Sequence, residues 1–278
     1  MNARMNITVL SDNTVAARAA RGEHGLAFWI ETGENCLLFD TGQGLVLADN
    51  AQALRVDLDA VDTIVLSHGH YDHTGGLADV LRETTGPVVV YAHPDAHLPK
   101  YQQGEGGVRD IGMPAACRDA MLGGRCRFTP SRQSAEVAPG IWTTGEVPRQ
   151  HPEEATTEPF CRDPEGREID LLSDDQALFM WTAQGTVILL GCAHSGIINT
   201  LDHVQGLTDG KPVRAVMGGM HLRSATEDRM AWTIRELRRF KINLLVPMHC
   251  TGQKSVAALW AAFPNTCQAC GVGTLFEF

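Results

Sequence analysis

Three histidines and an aspartate fall within one six-residue run, His68-Gly69-His70-Tyr71-Asp72-His73. Packing that many imidazoles and a carboxylate as core filling would bury several polar groups that each need a partner. Binding cations gives them one. Imidazole nitrogen and carboxylate oxygen suit zinc first, with iron or manganese as alternatives. Alternation sends His68 and His70 to one side of the loop, with Asp72 and His73 just beyond. The run can therefore serve two divalent metal ions a few ångströms apart. Such a pair would activate water for attack on a carbonyl or phosphoryl centre, with Asp72 ligating one metal and orienting or accepting the proton of the nucleophile.

The elements around the run suit that task. Thr63-Ile64-Val65-Leu66 reads as a short buried strand that leads directly into Ser67 and the cluster. Gly75-Gly76 opens a helix with apolar positions Leu77, Val80 and Leu81. The side chains are thus expected on a loop at a sheet edge, aimed by a rigid scaffold. Upstream, Ile7–Leu10 reads as a strand, and Leu26–Ile30 and Cys36–Phe39 flank the hairpin signal Gly33-Glu34-Asn35. A helix is expected over Leu45–Leu54 and a buried strand over Pro87–Tyr91. Downstream, Ala177–Thr182 and Thr186–Leu190 form a hairpin. Strands over Val213–Met217 and Leu244–Val246 then alternate with helices over Asn199–Leu207, Glu227–Phe240 and Ser255–Phe263. This order predicts a layered α/β sandwich. Glycine breaks the pattern repeatedly between about Pro94 and Arg132, which reads as an inserted cap, or else an irregular connection, within one domain spanning 1–278.

The bulk properties narrow the class. The chain has 278 residues with a formal net charge of −10. That balance argues against nucleic acid as a partner, but a metal pair would reverse the local field and admit a small anionic substrate. Eight cysteines in a chain of this size do not make a disulfide framework. No apolar run has the length of a membrane span, and the first residues enter a strand pattern without a secretory signal. The expectation is a cytoplasmic protein acting on a small molecule. Cys267-Gln268-Ala269-Cys270 has CxxC spacing but no second pair, so no zinc ribbon is expected.

The spacing His68-x-His70-x-Asp72-His73, preceded by Leu37-Leu38-Phe39-Asp40-Thr41-Gly42 and followed by Gly75-Gly76-Leu77, resembles the metallo-β-lactamase superfamily. The stretches Glu23-His24-Gly25-Leu26, Gly191-Cys192-Ala193-His194-Ser195-Gly196, Gly218-Gly219-Met220-His221-Leu222 and His249-Cys250-Thr251-Gly252 are similar to the branch of hydrolases related to the dihydropterin–ribofuranosylaminobenzene-phosphate synthases. The resemblance implies a four-layer αββα sandwich with the metals at one edge between two sheets. It implies His249 as the last metal histidine and makes His194 the next ligand. Two departures accompany it. Gly145-Glu146-Val147-Pro148 holds no histidine where most relatives carry one, so His194 is expected in its place, with Glu146 an outside candidate. Cys192 stands at the usual bridging aspartate, either as a thiolate ligand or as a packed thiol. His70 at the second motif position, where the flavin-linked di-iron branch has glutamate, argues for hydrolysis over redox chemistry.

Further roles are assigned more loosely. Asp40 either holds a ligand histidine through its free ring N–H or caps the Thr41-Gly42 turn. His221 reaches substrate or protonates a leaving group, or is structural. Arg149 either clamps a phosphate or carboxylate or is an ordinary solvent-facing arginine, and His24 is expected to border the pocket. Three functions stay open: a metallohydrolase acting on a small ester, lactone, amide or phosphoester; a transferase joining a pterin diphosphate to an aminobenzene-ribose phosphate; and a non-catalytic metal sensor.

Overall fold

A computed structural model describes residues 4–104, 106–155 and 158–278. The first half supplies strands β1 (Asn6–Ser11), β2 (Ala27–Glu31), β3 (Cys36–Phe39), β4 (Thr63–Val65), β5 (Val89–Ala92), β6 (Tyr101–Gly104), β7 (Gly107–Asp110) and β8 (Arg127–Pro130). Its helices are α1 (Leu47–Leu54), α2 (Tyr71–Thr74), α3 (Leu77–Glu83) and α4 (Ala115–Leu122). The second half supplies β9 (Gln133–Ala138), β10 (Ile141–Gly145), β11 (Phe160–Cys161), β12 (Ala177–Thr182), β13 (Gly185–Leu190), β14 (Val213–Gly219), β15 (Leu244–Met248) and β16 (Leu275–Glu277). Helices α5 (Ile197–Leu207), α6 (Glu227–Leu237) and α7 (Gln253–Ala262) complete it.

Two sheets stack face to face, in the orders β16-β1-β2-β3-β4-β5-β8 and β15-β14-β13-β12-β10-β9. Period-two alternation decides which side chains meet between them. Ile7, Phe28, Ile30, Leu37 and Phe39 face Leu178, Met180, Val187 and Leu189 across the inner core. The intervening residues of the first sheet, Trp29, Leu38 and Ile64 among them, pack outward on α1, α3 and α4. Phe179, Ile188 and Leu190 likewise pack outward on α5, α6 and α7. The result is the four-layer αββα sandwich expected from the sequence.

The stretch from Pro94 to Arg132 differs from a single inserted cap. Strands β6 and β7 do form a small separate sheet with β11. Helix α4, however, buries Cys117 and Met121 in the outer core, and β8 extends the larger sheet by pairing in parallel with β5. The stretch's contacts with the histidine loop include a bond from Tyr71 N–H to the Ile111 carbonyl (3.0 Å) and a bridge between His70 and Gly112.

Strands β3, β4, β5 and β8 run parallel in one sheet, and β13, β14 and β15 in the other. Their carboxyl ends open toward one edge, the place where α/β sheets present ligand sites. Asp40 follows β3, the histidine run follows β4, Cys192 and His194 follow β13, His221 follows β14 and His249 follows β15. The backbone is strained there. Asp40 (φ 62°), Ala193 (φ 54°), His221 (φ 46°) and His249 (φ 49°) all hold left-handed conformations that cost non-glycine residues of order 1–3 kcal/mol each. Gly69 is required for a different reason, since a Cβ there would lie 2.0 Å from the Ala96 carbonyl oxygen.

Candidate metal centre

Loops from both sheets bring His68, His70, Asp72, His73, Cys192, His194 and His249 into one buried cluster. Several imidazoles are fixed through Nδ1 and turn Nε2 inward. His73 Nδ1 donates to Asp40 Oδ2 (2.7 Å). His68 Nδ1 lies 2.9 Å from Ser67 Oγ, which donates to the same carboxylate oxygen of Asp40 (2.7 Å). His249 Nδ1 donates to Asn13 Oδ1 (2.8 Å). These anchors select the tautomer that leaves the Nε2 lone pair free.

The free atoms converge. His73 Nε2 lies 3.1 Å from Cys192 Sγ and 3.2 Å from His249 Nε2. His68 Nε2 lies 3.0 Å from His70 Nδ1. Asp72 Oδ2 lies 3.4 Å from His249 Nε2 and 3.2 Å from His24 Nε2. The ligand atoms of His68, Cys192 and His194 all lie within 4.8 Å of one another, and so do those of His73, Cys192 and His249. Tetrahedral zinc bonds of about 2.0–2.3 Å separate ligand atoms by roughly 3.3–3.7 Å. The observed spacings therefore suit cation binding, and Cys192 belongs to both of these groups.

For His68, His70 and His194 electrostatics points the same way, whereas for His73 burial is outweighed by Asp40 and Asp72, which bring it up to about 9. Burial, then the nearby charge of His73, drives the His68 pKa well below its usual value. Burial, then Lys100, brings His70 down to about 4. Burial followed by His221 lowers His194. These three rings are neutral donors at physiological pH. Among the described residues, His70 Nε2 and both ring nitrogens of His194 are buried with no hydrogen-bond partner, an expensive arrangement that a cation bound at one nitrogen of each ring would partly relieve. The residues present thus fit a metal centre. Burial opposes charge on Asp72, but His73, His24 and His249 outweigh it and hold the carboxyl well below its usual range.

Above the cluster lies a cleft of about 280 Å³ bordered by His24, Tyr71, Arg109, Phe160, His221 and Arg223, among others. His221 Nε2 pairs with Glu158 Oε1 (3.0 Å), and its ring lies 4.3 Å from that of His194. Sequence reasoning missed Glu158, Asn13, Arg109 and Arg223. They come from loops and from the small sheet, and no spacing or periodicity marks them.

Two expected residues lie elsewhere. Arg149 does not face the cleft; its guanidinium donates to the carbonyls of His194 (2.8 Å) and Leu171 (2.7 Å). These bonds pin the loop that carries His194. Arg149→Ala should lower thermal stability by about 1–2 kcal/mol and leave KM for a small anionic ester within about twofold; a large KM rise at unchanged stability would restore the substrate role. Glu146 belongs to none of the ligand groups among the described residues and is paired instead with Arg132 (2.7 Å) and His93 (2.8 Å).

Comparisons agree with this geometry. Residues 20–249 match the family model of the metallo-beta-lactamase superfamily. The chain is 32% identical over 256 residues to an uncharacterized protein of Methanocaldococcus jannaschii, covering 91% of this chain and 93% of that one. It is 28% identical over 267 residues (92% and 90% coverage) to the 7,8-dihydropterin-6-methyl-4-(beta-D-ribofuranosyl)-aminobenzene-5'-phosphate synthase of the same organism. A crystal structure of a metal-dependent hydrolase of the beta-lactamase superfamily superposes with a TM-score of 0.84, at 26% identity and 99% coverage of both chains.

Proposed function

This chain belongs to the metallo-β-lactamase superfamily, and from that premise we propose that it is a hydrolase dependent on two divalent cations, acting on a small ester, lactone, amide or phosphoester. The observation that carries the proposal is the pair of ligand triads sharing Cys192 at the end of β13. One position would be held by His68, His70, His194 and Cys192, the other by Asp72, His73, His249 and Cys192. Bound there, zinc or a related cation supplies Lewis acidity that brings a water's pKa toward neutrality and offsets developing negative charge.

The remaining work falls to side chains. Asp72 borders the cleft, where its carboxylate would orient the attacking water or accept its proton. His221, backed by Glu158, stands on the cleft wall beside His194, where it would donate a proton to the leaving group. Phe160 and Tyr71 cover the histidine rings and restrict water around them.

A second reading, transfer of a pterin to an aminobenzene-ribose phosphate, is favoured by the name of the 28% identical relative. Elemental analysis and a panel of p-nitrophenyl esters, bis-p-nitrophenyl phosphate and lactones separate the readings. Hydrolysis predicts close to two metal equivalents and turnover of at least one panel member that a chelator abolishes. A loaded but inert protein supports transfer or metal sensing instead. Cobalt substitution tests the shared thiolate independently of turnover. Wild-type protein should show an intense near-ultraviolet sulfur-to-cobalt band, and Cys192→Ser should lose it and retain fewer metal equivalents. A band that survives in Cys192→Ser would remove Cys192 from the ligand set.

A further inference from the structure

The cleft over the metal residues holds only about 280 Å³, at or below the low end of the volume that small-molecule sites usually occupy. It accommodates a reacting group and little else. A second cleft of about 800 Å³ adjoins it, and His249 and Arg223 border both. Nothing in the chemistry described so far uses this second space. Met248, Val256, Ala257 and Trp260 give it an apolar wall. Trp260 is 41% exposed despite its size.

The charges at the junction are distinctive in a chain of net charge −10. Arg223 is exposed and forms no ion pair among the described residues, and neither does Arg109 across the smaller cleft. Arg109 bonds only the neutral Gln102 and lies over the Tyr71 ring. The backbone of Arg223 is packed tightly against the start of α7, where a Cβ on Gly252 would meet its Cα at 2.8 Å. A guanidinium without a carboxylate, set between a cation-binding cleft and an apolar wall, is built to receive an anion.

From this continuity and charge complementarity we infer that the larger cleft holds the non-reacting body of the substrate, an organic phosphate or carboxylate whose anionic group meets Arg223 while a flat apolar portion lies against Trp260. The inference rests on the hydrolase reading for which end reacts, but binding can be tested without turnover. In metal-loaded protein, 1-naphthylphosphonate, which has no hydrolysable ester bond, should bind at least tenfold more tightly than methylphosphonate. Trp260→Ala should weaken the naphthyl compound about three- to tenfold and leave methylphosphonate where it was. Arg223→Gln should weaken both phosphonates about tenfold or more, and leave uncharged 1-naphthalenemethanol unaffected. Comparison with 1-naphthoate tells a phosphate preference from a carboxylate one. Melting temperatures and metal content control for damage to the fold. Equal binding of the two phosphonates to wild type, or no loss in either variant, overturns the inference. So does sedimentation showing a dimer that Trp260→Ala dissociates, which would place Trp260 in an interface with a second copy of the chain. Failure of the hydrolysis panel, with these affinities as expected, would instead indict the reaction class.

Discussion

Asp72→Asn is expected to lower kcat/KM of the metal-loaded protein by about three orders of magnitude with little change in fold. Asparagine keeps the shape and can still accept from His24, so packing survives. It loses the charge that three neighbouring histidines surround, with Asp72 Oδ2 3.2 Å from His24, 3.4 Å from His249 and 3.9 Å from His73. A proton acceptor in the transition state is worth about 10²–10⁴ in rate, and loss of a charged ligand adds to that by weakening one cation position. Three orders correspond to about 4 kcal/mol of transition-state stabilisation. Because those histidines hold the Asp72 carboxyl well below its usual range, the wild-type carboxylate is already ionised throughout the neutral range. The activity lost in the variant should therefore not return on raising the pH from 6 to 9. Single-turnover rates and metal content, measured on the same preparation, check the two parts. A variant with full metal and a rate within tenfold of wild type would show that Asp72 neither ligates nor accepts the proton.

Much of this was legible in the chain, and the limits have physical causes. The inner strands alternate or run apolar because both of their faces are buried, so β2, β3, β4, β12 and β13 fall where the pattern puts them. Strands β9 and β16 were invisible. They lie at sheet edges, where Ser134, Glu136 and Glu277 face outward, and they leave little apolar signal. Helix α4 and β8 were concealed by the glycines around them. Within the site, the histidine run announced itself because so many polar groups in so few residues have no other economy. Cys192 and His194 became visible only through resemblance, since nothing in their local spacing says that β13 ends beside β4. Arg149 shows the converse error. An arginine near a glycine-rich turn looks like an anion clamp, yet backbone carbonyls can take up the same donors. Lys100, Asp170 and Asp174 were missed entirely, because a buried ion network assembled from distant loops has no local signature.

That network supports the second large effect. Lys100→Met should lower stability by about 3–5 kcal/mol, the usual penalty for leaving buried charge unpaired, and reduce the melting temperature by roughly 10 °C. Lys100 Nζ donates to Asp170 Oδ2 (2.9 Å) and Asp174 Oδ1 (2.8 Å), and all three side chains are buried. Asp174 Oδ2 in turn accepts the Gly69 N–H (2.8 Å) between His68 and His70. The neighbouring Asp175 accepts the Ser195 N–H beside His194 (2.8 Å), and the Gln176 N–H donates to the Ser67 carbonyl (2.9 Å). One short segment thus ties two metal-facing loops together, and loosening it should weaken metal affinity as well as the fold. The pH dependence should invert. In wild type, burial opposes both charges, but Lys100 and Asp174 outweigh it for each other, so the Asp174 pKa is lowered and the Lys100 pKa raised. The Asp174 contribution is present above the unfolded value of about 3.9 and is lost as pH falls through the lower folded value. The Lys100 contribution is present below about 10.4 and is lost as pH rises through the higher folded value. Between those limits the network adds no slope. With methionine in place of the ammonium, Asp174 loses the charge that most opposes burial, and its folded pKa should move up above the unfolded one. The Asp174 contribution is then greatest in acid and declines as pH rises from the unfolded value through the raised folded one. Denaturant midpoints at pH 5 and pH 8 read the sign: the variant should be closer to wild type at pH 5. A constant deficit at both pH values would mean that Lys100 contributes packing alone.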